Sequence, residues 1–234
     1  MSDTHPIVIE FFHDCLSAWC YKASERLRAF AAAHPDVQMV QRCYPLAVSP
    51  MLFNRQLYAD KREAKRDVVM VHWADARAFE PDPRIDCELM MTRDFDYPYS
   101  LPNQLGAKAA EMQGGQRAHW DFFDRVQRAH LTECRNIADY EVLRECAEDI
   151  GLDGARWQHD VFGEHARQML AEDIERAARY GILRIPALVG DGRHVLGGIP
   201  RSTLGHCLRE DGIETFYDDI KRRRMLGYGL PAAE

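Results

Sequence analysis

The chain has 234 residues, 46% hydrophobic and 29% charged, which is the balance of an ordinary globular protein and excludes disorder and collagen-like repetition. Its 30 Lys and Arg against 37 Asp and Glu give a net charge of −7, which argues against nucleic acid as the main partner. No apolar run reaches the roughly 20 residues a bilayer span needs, and Met1 to Pro6 show neither a basic nor a long apolar leader region. Seven cysteines, an odd number, in a chain too long to need disulfide staples predict a cytoplasmic protein with mostly reduced thiols. A cysteine pair at special spacing is then redox-active or metal-binding rather than structural.

In chain order, Ile7 to Phe12 is short, β-branched and aromatic, and reads as a buried strand. His13 to Leu16 is a tight loop. A helix is predicted from Ser17 to Ala33, stopping before His34-Pro35. Val37 to Tyr44 alternates with a period of two and reads as a second strand, closed by Pro45. The opening is therefore a strand, a helix and a strand, long enough for a parallel crossover.

From Pro50 to Tyr180 the text is helical. Helices are predicted over Tyr58–Phe79, Asn103–Met112, Ala118–His130, Asp139–Ile150 and His159–Arg179, with Arg84 to Tyr99 irregular. Gly114-Gly115 reads as a stop between two of them. Strand text returns at Ile182 to Val189. Gly190-Asp191-Gly192-Arg193 reads as a hairpin turn and His194 to Gly198 as its partner strand. Helices over Arg201–Glu210 and Glu214–Leu226 close the chain. This order predicts an α/β thioredoxin-like fold with an all-α insertion: residues 1–49 and 181–234 form the thioredoxin-like part and residues 50–180 the insertion.

The informative segment is Asp14-Cys15-Leu16-Ser17-Ala18-Trp19-Cys20-Tyr21, at a strand-to-helix junction. Unpaired N–H groups and the positive end of the helix dipole stabilise a thiolate there. Positions 20, 23, 27 and 30 are Cys, Ala, Leu and Phe, one buried stripe, so Cys20 faces inward. Cys15 precedes the helix and reads as the exposed thiol. Five residues across a turn allow a disulfide between them without requiring it. The second feature is Ile185-Pro186, before a strand. A cis-proline there leaves the backbone of Ile185 free to pair with an extended substrate.

Trp19-Cys20-Tyr21, Leu101-Pro102-Asn103-Gln104, Arg128-Ala129-His130-Leu131, Ile185-Pro186 and Asp191-Gly192-Arg193 resemble the DsbA-like thioredoxin-fold proteins, FrnE-type branch, over essentially the whole chain. The resemblance implies a thiol:disulfide oxidoreductase or isomerase with a C-P-W-C-Y active site opposed by a cis-proline. Cys20 matches its second cysteine and Pro186 its proline. The nucleophilic cysteine is replaced by Ser17 and the motif proline by Ala18. A serine hydroxyl is too basic to attack a disulfide.

Three readings follow. Cys15 stands in as the attacking thiol of a Cys15-x4-Cys20 pair, with Cys20 resolving the mixed disulfide, and Trp19, Ile185 and Pro186 holding a protein or small-molecule thiol or disulfide substrate. Alternatively, the chain resembles kappa-class glutathione transferases and 2-hydroxychromene-2-carboxylate isomerases, and Ser17 orients the thiolate of glutathione. In the third, the fold is a binding module without catalysis. The first reading requires no cofactor, the second takes glutathione, and the resemblance admits a homodimer.

Plainer roles compete at each position: Ser17 as a helix cap, Cys20 as a core residue, Cys15 as an inert thiol. His13, Cys15 and Cys20 have zinc-ligand spacing but lack a second ligand pair, so no metal is expected. Lys221 to Arg224 reads as a solvated helix face. Trp73, Phe79, Trp120, Phe122 and Phe123 read as core, some of them lining a groove between insertion and sheet.

Overall fold

A computed structural model describes residues 5–53, 60–79, 82–197 and 209–227. Strand β1 (Ile7–His13) leads through a turn into α1 (Ala18–Ala33) and then β2 (Val37–Cys43). β1 and β2 pair in parallel, Ile7 opposite Val37 and His13 opposite Cys43. β3 (Ala187–Gly190) pairs antiparallel with β1, Phe12 opposite Ala187, and β4 (His194–Gly197) pairs antiparallel with β3. The order across the sheet is β2-β1-β3-β4. This is the α/β thioredoxin-like arrangement, with helices inserted between β2 and β3.

Side-chain chemistry explains most boundaries. Ser17 caps α1, its oxygen accepting the Cys20 N–H at 3.3 Å. Cys20, Ala23, Leu27 and Phe30 form the buried stripe that the spacing predicts. The β3–β4 turn carries positive φ at Asp191 (48°) and Gly192 (67°), the backbone a tight hairpin turn demands. The segment expected from Tyr58 to Phe79 is helical from Lys61, capped by Asp60. It runs as α2 (Lys61–Asp67), a π-helical turn (Val68–Trp73) and α3 (Ala74–Phe79). Residues 58–59 of that expectation lie outside the described residues.

Several boundaries differ from the expectation. The stretch read as irregular holds α4 (Cys87–Thr92), started by the Asp86 cap. α5 spans Ser100–Leu131 and contains the Gly114-Gly115 break, where Gly115 takes φ 65° and the chain leaves helical geometry. After α6 (Tyr140–Asp149), the helix expected over His159–Arg179 is two: α7 (Gly154–Val161) begins at the Asp153 cap, and α8 (Glu164–Arg179) begins after Gly163. Phe162, at the C-cap of α7, and Ile174 of α8 are exposed, while Ala166, Leu170 and Ala177 form the buried face of α8. The strand expected from Ile182 starts only at Ala187, since Pro186 has no N–H for a ladder. The last helix, α9, spans Glu210–Met225 and stops at Gly227 (φ 78°). The helix expected from Arg201 lies almost wholly outside the described residues.

One continuous apolar cluster joins the strands, α1 and the inserted helices. α5 lies at its centre, with Phe122, Phe123, Val126 and Leu131 fully buried. Beneath β1 and β2 the core is charged. Asp173 of α8 accepts Lys108 Nζ (2.5 Å), Arg42 Nη1 (3.2 Å) and the Cys43 N–H (2.8 Å). Lys108 also pairs with Glu111 (2.9 Å), and Arg42 with Glu10 (2.6 Å). Burial opposes the charge on Lys108, but Cys43, Asp173 and Glu111 hold its ammonium well above the usual range. Among the described residues no helix is long and apolar enough to cross a membrane.

Candidate functional site at the start of the first helix

β1 and β2 run parallel and end at one edge of the sheet, where antiparallel β3 begins. The turn after β1 (residues 14–17), the loop after β2 and the 182–186 loop before β3 therefore meet there. Tyr44 ties the last two, donating its hydroxyl to the Ile182 carbonyl at 3.4 Å. Pro186 directly precedes Ala187, the partner of Phe12, and so stands beside the turn that holds Cys15. The Ile185–Pro186 peptide bond is cis.

Cys20 faces inward as its stripe requires and has no exposed surface. Cys15, expected to be the exposed thiol, is also fully buried. The cause is the turn. The Asp14 side chain folds back over it, accepting the Leu16 N–H (3.0 Å), the Leu46 N–H (2.7 Å) and the Ser100 hydroxyl (2.5 Å). The Ser17 N–H closes onto the Asp14 carbonyl at 3.1 Å. From α5, Gln127 donates to the carbonyls of Ser17 (2.8 Å), Cys15 (3.2 Å) and Asp14 (3.4 Å). The turn is thus drawn into the core, and the Cys15 side chain goes with it.

Burial governs the electrostatics. It pushes the Cys15 thiol well above its ordinary range, with the charges of Asp14, Cys43 and Cys20 adding to the effect. It pushes Cys20 up to about 12, against the hydrogen bond from the Ser17 side chain. Burial also raises Asp14 to about 6, although its donors pull the other way. Both cysteines are free thiols, as are Cys43, Cys87, Cys134 and Cys146. The helix N-terminus that would favour a thiolate is therefore outweighed by desolvation. His13, also buried, packs on Phe123 (4.0 Å between ring centroids) and meets the His119 ring edge-on at 5.2 Å. Burial, then the neighbouring His119 and Lys108, holds its pKa well below the usual histidine range. Among the described residues no group of three or more His, Cys, Asp or Glu side chains is placed to hold a metal ion.

Ser17 is 8% exposed and Trp19 half-buried, its ring 5.6 Å from that of Phe79. Phe79 is exposed, whereas Trp73, Trp120, Phe122 and Phe123 are core. Ile185 and Pro186 are buried. The loops at this edge also expose Leu46, Val48, Met51 and Leu183, the last at 80%. The loops beside the turn thus carry exposed apolar side chains, while Cys15 and Cys20 are sealed. Asp14 was visible in the motif but its role was not. Gln127 left only one signal, a polar residue on the helix face shared by Phe123 and Leu131.

Residues 8–208 match the DSBA-like thioredoxin domain, and the chain belongs to that family. The ClpXP adapter protein SpxH of Bacillus subtilis (strain 168) is 31% identical over 106 residues, which are 44% of this chain and 35% of that protein. The chain thus spans about a third of the length of the curated relatives it matches. Two solved structures share the fold. A candidate protein disulfide isomerase from Nitrosomonas europaea superposes with a TM-score of 0.71 at 19% identity, covering 92% of this chain and 98% of the other. The cytosolic disulfide reductase DsbM from Pseudomonas aeruginosa gives 0.68 at 22% identity, covering 92% and 98%.

Proposed function

We propose that this chain is a polypeptide-binding member of the DsbA-like family, which receives an extended chain at the Trp19–Pro186 edge without dithiol exchange. The observation that carries the reading is the contrast at that edge: Cys15 and Cys20 are sealed, while Leu46, Val48, Met51, Phe79 and Leu183 are open to solvent. Exposed apolar side chains gathered at one site mark an interaction surface. A Cys15–Cys20 oxidoreductase needs an accessible thiolate, and here desolvation suppresses both. The curated relatives are named as adapters, which agrees with a binding role. The reading places the protein in the cytoplasm, in keeping with six free cysteines among the described residues. It requires no cofactor.

The test is calorimetric titration with a reduced, carboxymethylated protein chain, which stays unfolded and carries no thiol. Saturable binding is expected, and Leu183→Ser and Met51→Ser should each weaken it roughly tenfold, about 1.4 kcal/mol. Both side chains are exposed, so neither change disturbs the core. Absence of binding, or binding indifferent to both substitutions, would overturn the reading.

A second reading rests on Ser17, whose oxygen caps the helix start and whose place in the motif matches that of the family's attacking cysteine. Ser17 then orients the thiol of glutathione. DsbM, which shares the fold, is known in complex with GSH. Glutathione binding lost in Ser17→Ala, with polypeptide binding absent, would favour this second reading.

A further inference from the structure

Three residues of α5 lie against the β1–α1 junction that holds Cys15 and leads to Cys20. Phe123 packs on His13, the rings tilted by 49°. His130 Nε2 lies 3.2 Å from the Tyr97 hydroxyl, which reaches the Leu16 carbonyl at 3.4 Å. Between them, Gln127 donates to the carbonyls of Asp14, Cys15 and Ser17. The sense of that amide is fixed: turned over, its oxygen would face three carbonyl oxygens. Gln127 has no exposed surface, and its Oε1 is buried without a hydrogen-bond partner. A buried, half-satisfied amide is costly, and this one makes all its bonds to a single turn.

We propose that Gln127 is the positioning residue that holds the 14–17 turn closed, so that the inserted helix α5, and not the sheet or α1, decides whether Cys15 and Cys20 are accessible. The other side-chain bonds of the turn are that from the Tyr97 hydroxyl to the Leu16 carbonyl and those of the Asp14 side chain, which accepts from Leu16, Leu46, Ser100 and Gln104. Those bonds constrain Asp14 and Leu16. Gln127 alone among the described side chains donates to the carbonyls of Cys15 and Ser17. Any movement of α5 away from the turn therefore frees the chain at Cys15 and at the Ser17 cap, whose oxygen holds the Cys20 N–H. This holds whether or not the edge binds polypeptide.

The experiment follows iodoacetamide labelling of each cysteine in the native full-length protein at pH 8, by peptide mass mapping. Three proteins are compared: the unsubstituted chain, Gln127→Met, which keeps the bulk and removes the donor, and Gln127→Glu, which turns an acceptor toward the carbonyls. Cys15 and Cys20 should label at least tenfold faster in both variants, with Cys134 and Cys146 unchanged. Cys134 and Cys146 are also buried and report on general loosening.

Unchanged Cys15 and Cys20 rates in folded variants would overturn the proposal, as would an equal rise at all four cysteines. Should neither variant fold, the unsubstituted chain decides in sub-denaturing urea. Cys15 and Cys20 must then label together, with a shallower urea dependence than Cys134 and Cys146. One common dependence for all four would refute the latch. Failure of polypeptide binding in the titration above leaves this result untouched, so the two proposals fail separately.

Discussion

Asp173→Asn is the sharpest probe of the charged core that fastens the insertion to the sheet. Asp173 and Lys108 are almost wholly buried, and Asp173 serves two cations and the Cys43 N–H at once. The neutral amide keeps the shape but removes the charge. Removing one partner of a buried pair costs about 3–5 kcal/mol. Lys108 retains Glu111 and Arg42 retains Glu10, so the lower end applies, about 3 kcal/mol. For a chain of this size each kcal/mol lowers Tm by roughly 2–4 °C, so Tm should fall by about 6–12 °C. Urea unfolding followed by circular dichroism gives the free energy, and a scan gives Tm. Asp173→Asn combined with Lys108→Met should cost much less than the sum of the two single changes, because the pair is lost together. A loss under about 1 kcal/mol, or additive costs, would refute the claim that this network ties α8, α5 and β2 together.

Other expectations follow from the same structure. Burial depresses His13, His119 and His130 (the last to about 3), so the unfolded chain binds their protons first as pH falls below about 6.5. Stability from these groups is complete above that pH and is lost on acidification. Asp14, raised to about 6, acts oppositely: its contribution is full near pH 4 and is lost as pH rises through 6. Burial also lowers His194 and raises Asp124, and four histidines against two carboxylates predict a lower urea midpoint at pH 5 than at pH 7.5; an equal or higher midpoint would contradict the assignment. A methyl group on Gly106 would lie 2.8 Å from both Phe122 and Trp157 ring carbons, so Gly106→Ala should destabilise by about 1–3 kcal/mol in the same urea assay. Ser17→Ala removes the cap of α1 and should cost about 1 kcal/mol, read from the same midpoints.

The elements that sequence reading reaches are those set by local chemistry. The Ser17 cap, the Cys20 stripe, the parallel β1–β2 pair and the Gly190–Arg193 hairpin follow from spacing and turn residues within a few positions. What it misses is set by distant partners. Cys15 looks exposed because it precedes a helix, and it is buried because Gln127, 112 positions away, holds its carbonyl. Glu10, Lys108 and Asp173 carry no local signal of burial as charged residues, and the pairs Arg42–Glu10, Arg42–Asp173 and Lys108–Asp173 are what make them core residues. The α7–α8 break escapes a periodicity argument because both helices carry similar patterns, and only Gly163 marks the interruption.

Mild oxidation of the native protein, followed by peptide mass mapping, bears most directly on the claim that this edge binds without exchanging disulfides. With both thiols sealed and their thiolates suppressed, Cys15 and Cys20 should remain unlinked over a time in which an exposed dithiol oxidises fully. A Cys15–Cys20 disulfide that forms readily and is reversed by a thiol would contradict the account and return these residues to catalysis.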